Sequence, residues 1–391
     1  MEEAARIFFP LAYDGDMQAQ YYLAIMMDDG KGTARDIFGA VSWMRKAADK
    51  DYPPAVAYMG YAYATGHGVN KDPAEAMKWY AKSAQRGDAP SQNNLGVMLR
   101  DGKVYPPNYP MAAQWFQQAA AQGSARAQYN LGLMYYLGQG VQVNDAQAFK
   151  WFSAAAQQDD MYAQNALGTM HRLGRGTAKN SAAALQWYLR AAEQGHVEAM
   201  FNVAQMYETA EGDPVKGPVE AAQWYKRALD SGHTESAYWL GALYELGIGV
   251  RQNYKEAARL YQEAGPDGGF LPAVTALARL YVAGQGVAKD ANLARSLYQM
   301  AADRGNSQAQ YEYAKLLNTS GSALDPITVY TWYALAANSL PESESKNAAV
   351  VGRIETTNGM TETQLVQARQ RVSTWKPAPP LVPIKKKHPK E

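Results

Sequence analysis

Apolar residues return along this chain every three to four positions, in short runs broken by glycine, and the whole arrangement returns every 36 or 37 residues. A Leu-Gly-type pair marks the first run of each unit: Leu23-Ala24, Met59-Gly60, Leu95-Gly96, Leu131-Gly132, Leu167-Gly168, Val203-Ala204, Leu240-Gly241, Leu277-Ala278 and Tyr313-Ala314. A second marker keeps step with it: Trp43, Trp79, Trp115, Trp151, Trp187, Trp224, Leu260, Leu297 and Trp332. Two markers holding one period through nine copies predict a repeat architecture in which single units cannot bury their own apolar face.

Each unit reads as two helices. Ala127, Leu131, Gly132 and Tyr135 share one helical face, Gly138-Gln139-Gly140-Val141 breaks the helix, and Ala148, Trp151, Phe152 and Ala155 form the face of a second. A small residue stands five positions before each marker (Ala19, Ala55, Ser91, Ala127, Ala163, Ala199, Ser236, Ala273 and Ala309). The small residues let two helix backbones approach. The strict period of the Trp series predicts that the indole fills the wedge between neighbouring units, and the marker tyrosines Tyr63, Tyr135, Tyr207, Tyr244 and Tyr281 are expected in the core.

These motifs, Ala-x-x-x-Leu-Gly-x-x-Tyr, then Gly-x-Gly-Val, then Ala-x-x-Trp-[Tyr/Phe]-x-x-Ala-Ala, resemble the SEL-one-like repeat family, a relative of the tetratricopeptide repeat, over roughly residues 2–337. The resemblance implies an all-α, right-handed α-solenoid of about nine helix-turn-helix repeats. The expected organisation is an N-terminal half-repeat helix over 1–17, nine repeats over 18–340, a C-terminal capping helix over 341–375 beginning near Thr361-Glu362-Thr363-Gln364, and a flexible Pro/Lys-rich tail over 376–391. Four loops depart from the pattern: Asp101 to Pro107, Glu211 to Pro218, Gly265 to Phe270, and Asn318 to Asp325. Uniform curvature is therefore not expected.

Charge and composition narrow the function. The 38 basic and 37 acidic residues give a net charge of +1, which argues against a broadly basic nucleic-acid binder. Only the tail, with Lys385-Lys386-Lys387, is basic. There is no cysteine, so disulfides and thiolate chemistry are excluded. No apolar run is long enough to span a membrane. The N-terminus lacks a secretory pattern, so either the protein is cytoplasmic or a signal peptide has been removed. Exported bacterial members of the family often begin with a half-unit, and on that analogy the expected location is periplasmic or secreted.

The sequence offers little chemistry. Gly-x-Gly recurs once per unit without a preceding strand or third glycine, and so reads as a turn, not a dinucleotide fingerprint. Of five histidines (His67, His171, His196, His233 and His388), His196 and His233 read as exposed turn residues. Asp28-Asp29 and Asp159-Asp160 read as capping or solvated charge. No catalytic residue, metal site or cofactor is nominated, and a cell-wall hydrolase would need a convergent carboxylate pair that is not seen.

What remains is a face. On each first helix, the positions three before, one after and four after the marker lie roughly opposite the buried stripe and vary in chemistry. In a helix-pair solenoid this face is expected to be concave. It nominates Tyr21, Tyr61, Asn93, Arg100, Tyr129, Tyr136, Asn165, Arg172, Phe201, Glu208, Tyr238 and Glu245 as partner-binding residues. The row containing Tyr129 admits two readings, recognition or packing between adjacent first helices; the row containing Arg172 favours recognition. The expected function is a non-enzymatic scaffold or adaptor, monomeric in isolation, that binds another protein. The alternative is an immunity protein that neutralises a secreted effector such as a phospholipase.

Overall fold

The computed structural model describes residues 2–211, 213, 217–319 and 325–383. Parts of the sixth and ninth loops, Lys385–Lys387 and His388 lie outside them. Among the described residues there are 21 α-helices and no strand.

The chain divides into two compact units, residues 1–194 and 195–391. In the first, α1 (Glu2–Tyr13) precedes five helix pairs: α2 (Met17–Asp29) with α3 (Ile37–Asp49), α4 (Pro53–Thr65) with α5 (Pro73–Ala84), α6 (Ala89–Asp101) with α7 (Tyr109–Ala121), α8 (Ala125–Leu137) with α9 (Asp145–Ala156), and α10 (Met161–Leu173) with α11 (Ser181–Glu193). In the second, four pairs follow: α12 (Val197–Glu208) with α13 (Pro218–Asp230), α14 (Ser236–Leu246) with α15 (Tyr254–Ala264), α16 (Leu271–Ala283) with α17 (Ala291–Ala302), and α18 (Ser307–Thr319) with α19 (Pro326–Ser339). Then come α20 (Glu344–Asn358) and α21 (Glu362–Thr374). Each unit is an α-solenoid: helices pack within a pair and against the adjoining pair.

Local sequence sets the helix ends. Asp16, Asp36, Asp88, Asn144 and Asp160 each accept a backbone N–H from the first turn. Gly138 ends α8 at φ 70° and Gly140 follows at φ 71°, a left-handed geometry that suits glycine. A Cβ on Gly140 would overlap the backbone of Tyr109, so the turn closes directly on the start of the preceding repeat's second helix.

The small residues and the Leu of each marker are buried, from Ala19 and Leu23 to Ala273 and Leu277. At the marker glycine, the two helices of one repeat are held together by the residue after the indole, which the repeat pattern did not single out. Trp79, Trp115, Trp151, Trp187 and Trp224 are only half-buried, whereas the residue after each is buried: Tyr80, Phe116, Phe152, Tyr188 and Tyr225. Phe152 lies against Gly132, where an added Cβ would stand 2.7 Å from its ring, and Phe116, Tyr188 and Tyr261 meet Gly96, Gly168 and Gly241 in the same way. Adjacent helical positions differ by 100°, so only one of the two rings can face the glycine. These half-buried indoles cover the seam with the preceding repeat from outside, often under a cation: Lys82 stands 5.1 Å from the Trp79 ring, Arg190 4.7 Å from Trp187, and Arg227 4.0 Å from Trp224, whereas Trp43 is buried. Of the marker tyrosines, Tyr207 is buried while Tyr63, Tyr135, Tyr244 and Tyr281 are half-buried.

A polar ladder that the repeat pattern did not suggest joins the repeats. Gln92, Gln128 and Gln164 donate to the last-turn carbonyls of Ala84, Ala120 and Ala156 at 3.1–3.3 Å. Their own side-chain oxygens accept from Gln122, Gln158 and Gln194, which follow the second helix of the same repeat, each at 2.8 Å. Each link adds a second donor to a helix C-terminal carbonyl that already accepts a turn N–H, from Gly87, Gly123 or Asp159.

The C-terminal region also differs from expectation. It holds two helices, not one, and α21 begins with the capping box of Thr361 and Gln364. Residues 376–383 do not hang free. The Ala378 N–H donates to the Asp303 carbonyl at 2.7 Å, Trp375 and Pro377 flank Gly305, and Leu381 lies beside Gly269.

Candidate functional site

In the first unit the nominated rows are tied across repeats. Asp28 accepts from the Tyr58 hydroxyl at 2.8 Å and pairs with His67 Nε2 at 2.8 Å, so it is a bridge and not a cap. Tyr61 stands beside this cluster, 47% exposed, with its ring 5.8 Å from His67 and 6.0 Å from Tyr58. Burial and the Asp28 bond push the Tyr58 hydroxyl up, so it remains a donor. Tyr21 packs between Tyr22 and Tyr52.

One repeat further on, Arg100 donates to Asn130 Oδ1 at 3.0 Å, and Asn130 in turn donates to Asn93 Oδ1 at 2.9 Å. Asn93 is buried, so this row packs between first helices. Tyr129 lies 5.7 Å from Phe152 and 6.0 Å from Tyr162. Tyr136 is covered by the guanidinium of Arg175, 3.8 Å from its ring centre, and Arg175 is held by Asp145 at 2.6 Å. Asn165 and Arg172 are half-buried on the next first helix.

The second unit repeats the principle with more charge. Phe201 stacks on His233 at 4.6 Å, and Glu208 accepts from the Tyr225 hydroxyl at 2.5 Å. His233 also meets Ser236 and Glu198, and His196 accepts the Ala199 N–H to cap α12. Neither histidine is the exposed turn residue expected. The His233 hydrogen bond holds the Glu198 carboxyl below its ordinary range.

Glu245 is buried. It accepts from Arg279 at 2.5 and 2.8 Å and from the Tyr261 hydroxyl at 2.7 Å. Burial pushes this carboxyl up, but the Arg279 and Tyr261 bonds outweigh it and leave its pKa lowered. Tyr238 packs on Tyr261 and Phe270 at 5.7 and 5.3 Å. It lines a cleft of about 360 Å³ with Thr275, Arg279, Tyr298 and Glu312.

The rows thus combine inter-repeat fastening with partly exposed aromatic and guanidinium groups. Arg175, Asn130, His67 and Arg279 were not nominated from the sequence. Their partners lie 30 to 39 residues away, so an offset of about one repeat was the available signal. Among the described residues no cluster of three or more His, Cys, Asp or Glu could hold a metal ion, and no helix is long and apolar enough to cross a membrane.

A family model described as Sel1 repeat matches eight times, at residues 18–52, 53–88, 89–124, 125–160, 162–196, 197–233, 234–265 and 271–306. The chain belongs to the Sel1 repeat family. A Sel1 repeat protein from Oxalobacter formigenes has a similar structure, with 29% identity and a TM-score of 0.61, covering 80% of this chain and 89% of that one. A protective antigen present in uropathogenic Escherichia coli strains, displaying an SLR fold, matches at 26% identity and a TM-score of 0.55, covering 95% of this chain and 94% of that one. No curated protein matches the sequence. Sel1 repeats are generally non-enzymatic scaffolds for protein–protein interaction. The Sel1 matches omit the pair α18 and α19, although these helices pack together like the others.

Proposed function

We propose that this protein is a non-enzymatic scaffold that recognises a partner protein through the exposed face of its first helices, centred in the first unit on Tyr61, Arg100 and Arg172. The observation that carries this reading is the pre-ordering of the face. Arg100 and the neighbours of Tyr61 are already fixed by bonds to adjoining repeats, so a partner meets groups whose ordering cost is largely met on folding. Tyrosine and arginine held in this way are the residue types that anchor protein interfaces. Tyr136 is better read as part of the support, because Arg175 lies over it and Phe152 lies beside it.

The test is affinity capture with the intact chain and with Y61A/R172A, followed by identification and titration of the captured protein. Capture should fall at least tenfold while the melting temperature stays within about 2 °C, as expected when no core contact is lost. A parallel collapse of melting temperature would instead assign these residues to packing. Tight one-to-one binding that silences a captured effector would identify the scaffold as an inhibitor.

A further inference from the structure

The third repeat lacks the second turn glycine, and Val104 stands in its place. In the sister repeats that position is glycine at φ 67–72° (Gly68, Gly140, Gly176, Gly249 and Gly286), and its backbone closes on the first turn of the preceding second helix. A β-branched residue does not adopt that conformation, and Val104 is not among the positive-φ residues. A second change falls at the same place. Ala64 occupies the position where the next three repeats carry Arg100, Tyr136 and Arg172. Between Ala64, Pro73, Val97, Met98 and Val104 the structure has a mostly apolar cleft of about 290 Å³ with Lys71 and Lys103 at its edge.

Two repeats along, the corresponding site is filled by the protein itself. Ala64 corresponds to Tyr136, Lys103 to Arg175 and Pro73 to Asp145, each offset by two 36-residue periods. There the Tyr136 ring lies beneath the Arg175 guanidinium, which Asp145 neutralises. In the cleft the cation is kept, but the equivalents of the Tyr136 ring and the Asp145 carboxylate are gone; the ring that remains in the lining, Tyr80, corresponds to Phe152, which the sister repeat also has. Of the nearby carboxylates, Glu75 and Asp51 are paired with Lys78 and Lys82, and Asp101, which lines the cleft, is engaged by Arg100, so none of them takes the place of Asp145.

We infer that this cleft receives the C-terminal aromatic residue of a partner polypeptide, with its ring where the sister repeat places Tyr136 and its α-carboxylate at Lys103 and Lys71. The volume is near the lower limit for a small-ligand pocket, which suits one bulky side chain. A C-terminal residue brings ring and carboxylate together within that space. The cleft adjoins the first-helix face through Ala64 and Val97 but uses none of Tyr61, Arg100 and Arg172, so either proposal can fail without the other.

The test uses the full chain with methyl-labelled methionine, reading the Met98 signal (assigned with M98L) during titration with N-acetyl-phenylalanine. A saturable shift in the millimolar range is expected, with N-acetyl-phenylalaninamide at least tenfold weaker. A64Y, which restores the sister filling, should abolish the shift while the protein stays folded, and K71E/K103E should remove the preference for the carboxylate. No shift up to 20-fold excess over that range, an unchanged shift in A64Y, or equal binding of the amide would overturn the proposal. So would octanoate binding as tightly as the aromatic probe, which would make the site one for acyl chains.

Discussion

Removing Arg279 with R279A isolates the charge logic of the second unit. Arg279 makes both of its hydrogen bonds to the buried Glu245, leaving that carboxylate only the Tyr261 hydroxyl once the guanidinium is gone. A hydrogen bond to a charged group contributes about 1.5–3 kcal/mol. Loss of a buried ion-pair partner costs about 3–5 kcal/mol, but the Arg279 side chain is half exposed, which reduces the penalty. A loss of about 2 kcal/mol at pH 7 is expected. Because the Glu245 pKa is lowered on folding, its contribution is present above the unfolded carboxylate value and lost as pH falls through the folded value. The difference between wild type and R279A should therefore shrink toward zero when urea unfolding, followed by circular dichroism, is repeated below about pH 4. Hydrogen exchange of α14 and α15 provides a local check, since repeat arrays can open in parts. A difference under about 0.5 kcal/mol at pH 7, or one that does not change with pH, would refute the reasoning.

Two further outcomes follow from the packing. Q128L removes the bonds from buried Gln128 to the Ala120 carbonyl and from Gln158, and should cost about 1–2 kcal/mol in urea unfolding, whereas the same change at an exposed glutamine should cost little. Ending the chain after Trp375 removes the Ala378 bond to Asp303. It should speed exchange around Asp303–Asn306 while lowering the melting temperature by no more than about 2 °C; unchanged exchange there would show that the tail is not seated in solution.

The period made the stack legible in the sequence, because Ala127, Leu131 and their equivalents must meet the same neighbour in every copy. The same regularity concealed which aromatic faces inward. Trp151 and Phe152 keep equal periods, and only the side-chain direction on the helix separates them. The face itself could be placed by counting 100° steps from the marker. Its fastening could not, since Arg100 with Asn130 and Arg279 with Glu245 meet across repeats, and their side chains differ from copy to copy. The Thr361-to-Gln364 start of α21 was readable from its capping residues. The separate α20 was not, because its sequence is polar and buries only Ala349 and Gly352. Composition suggested a loose tail after Trp375, yet residues 376–383 rest on turns that only tertiary structure brings to them.

The central claim is that the two helices of a repeat are locked by the ring after the indole lying against the marker glycine, as Phe152 lies against Gly132, with the indole as an outer cover. Equilibrium unfolding of F152A and W151A, measured side by side in the full chain, tests it most directly. F152A should cost about 3–5 kcal/mol, the range for emptying a fully buried aromatic site, and W151A about 1–2 kcal/mol for a half-buried ring. Equal losses, or a larger loss for W151A, would contradict the account.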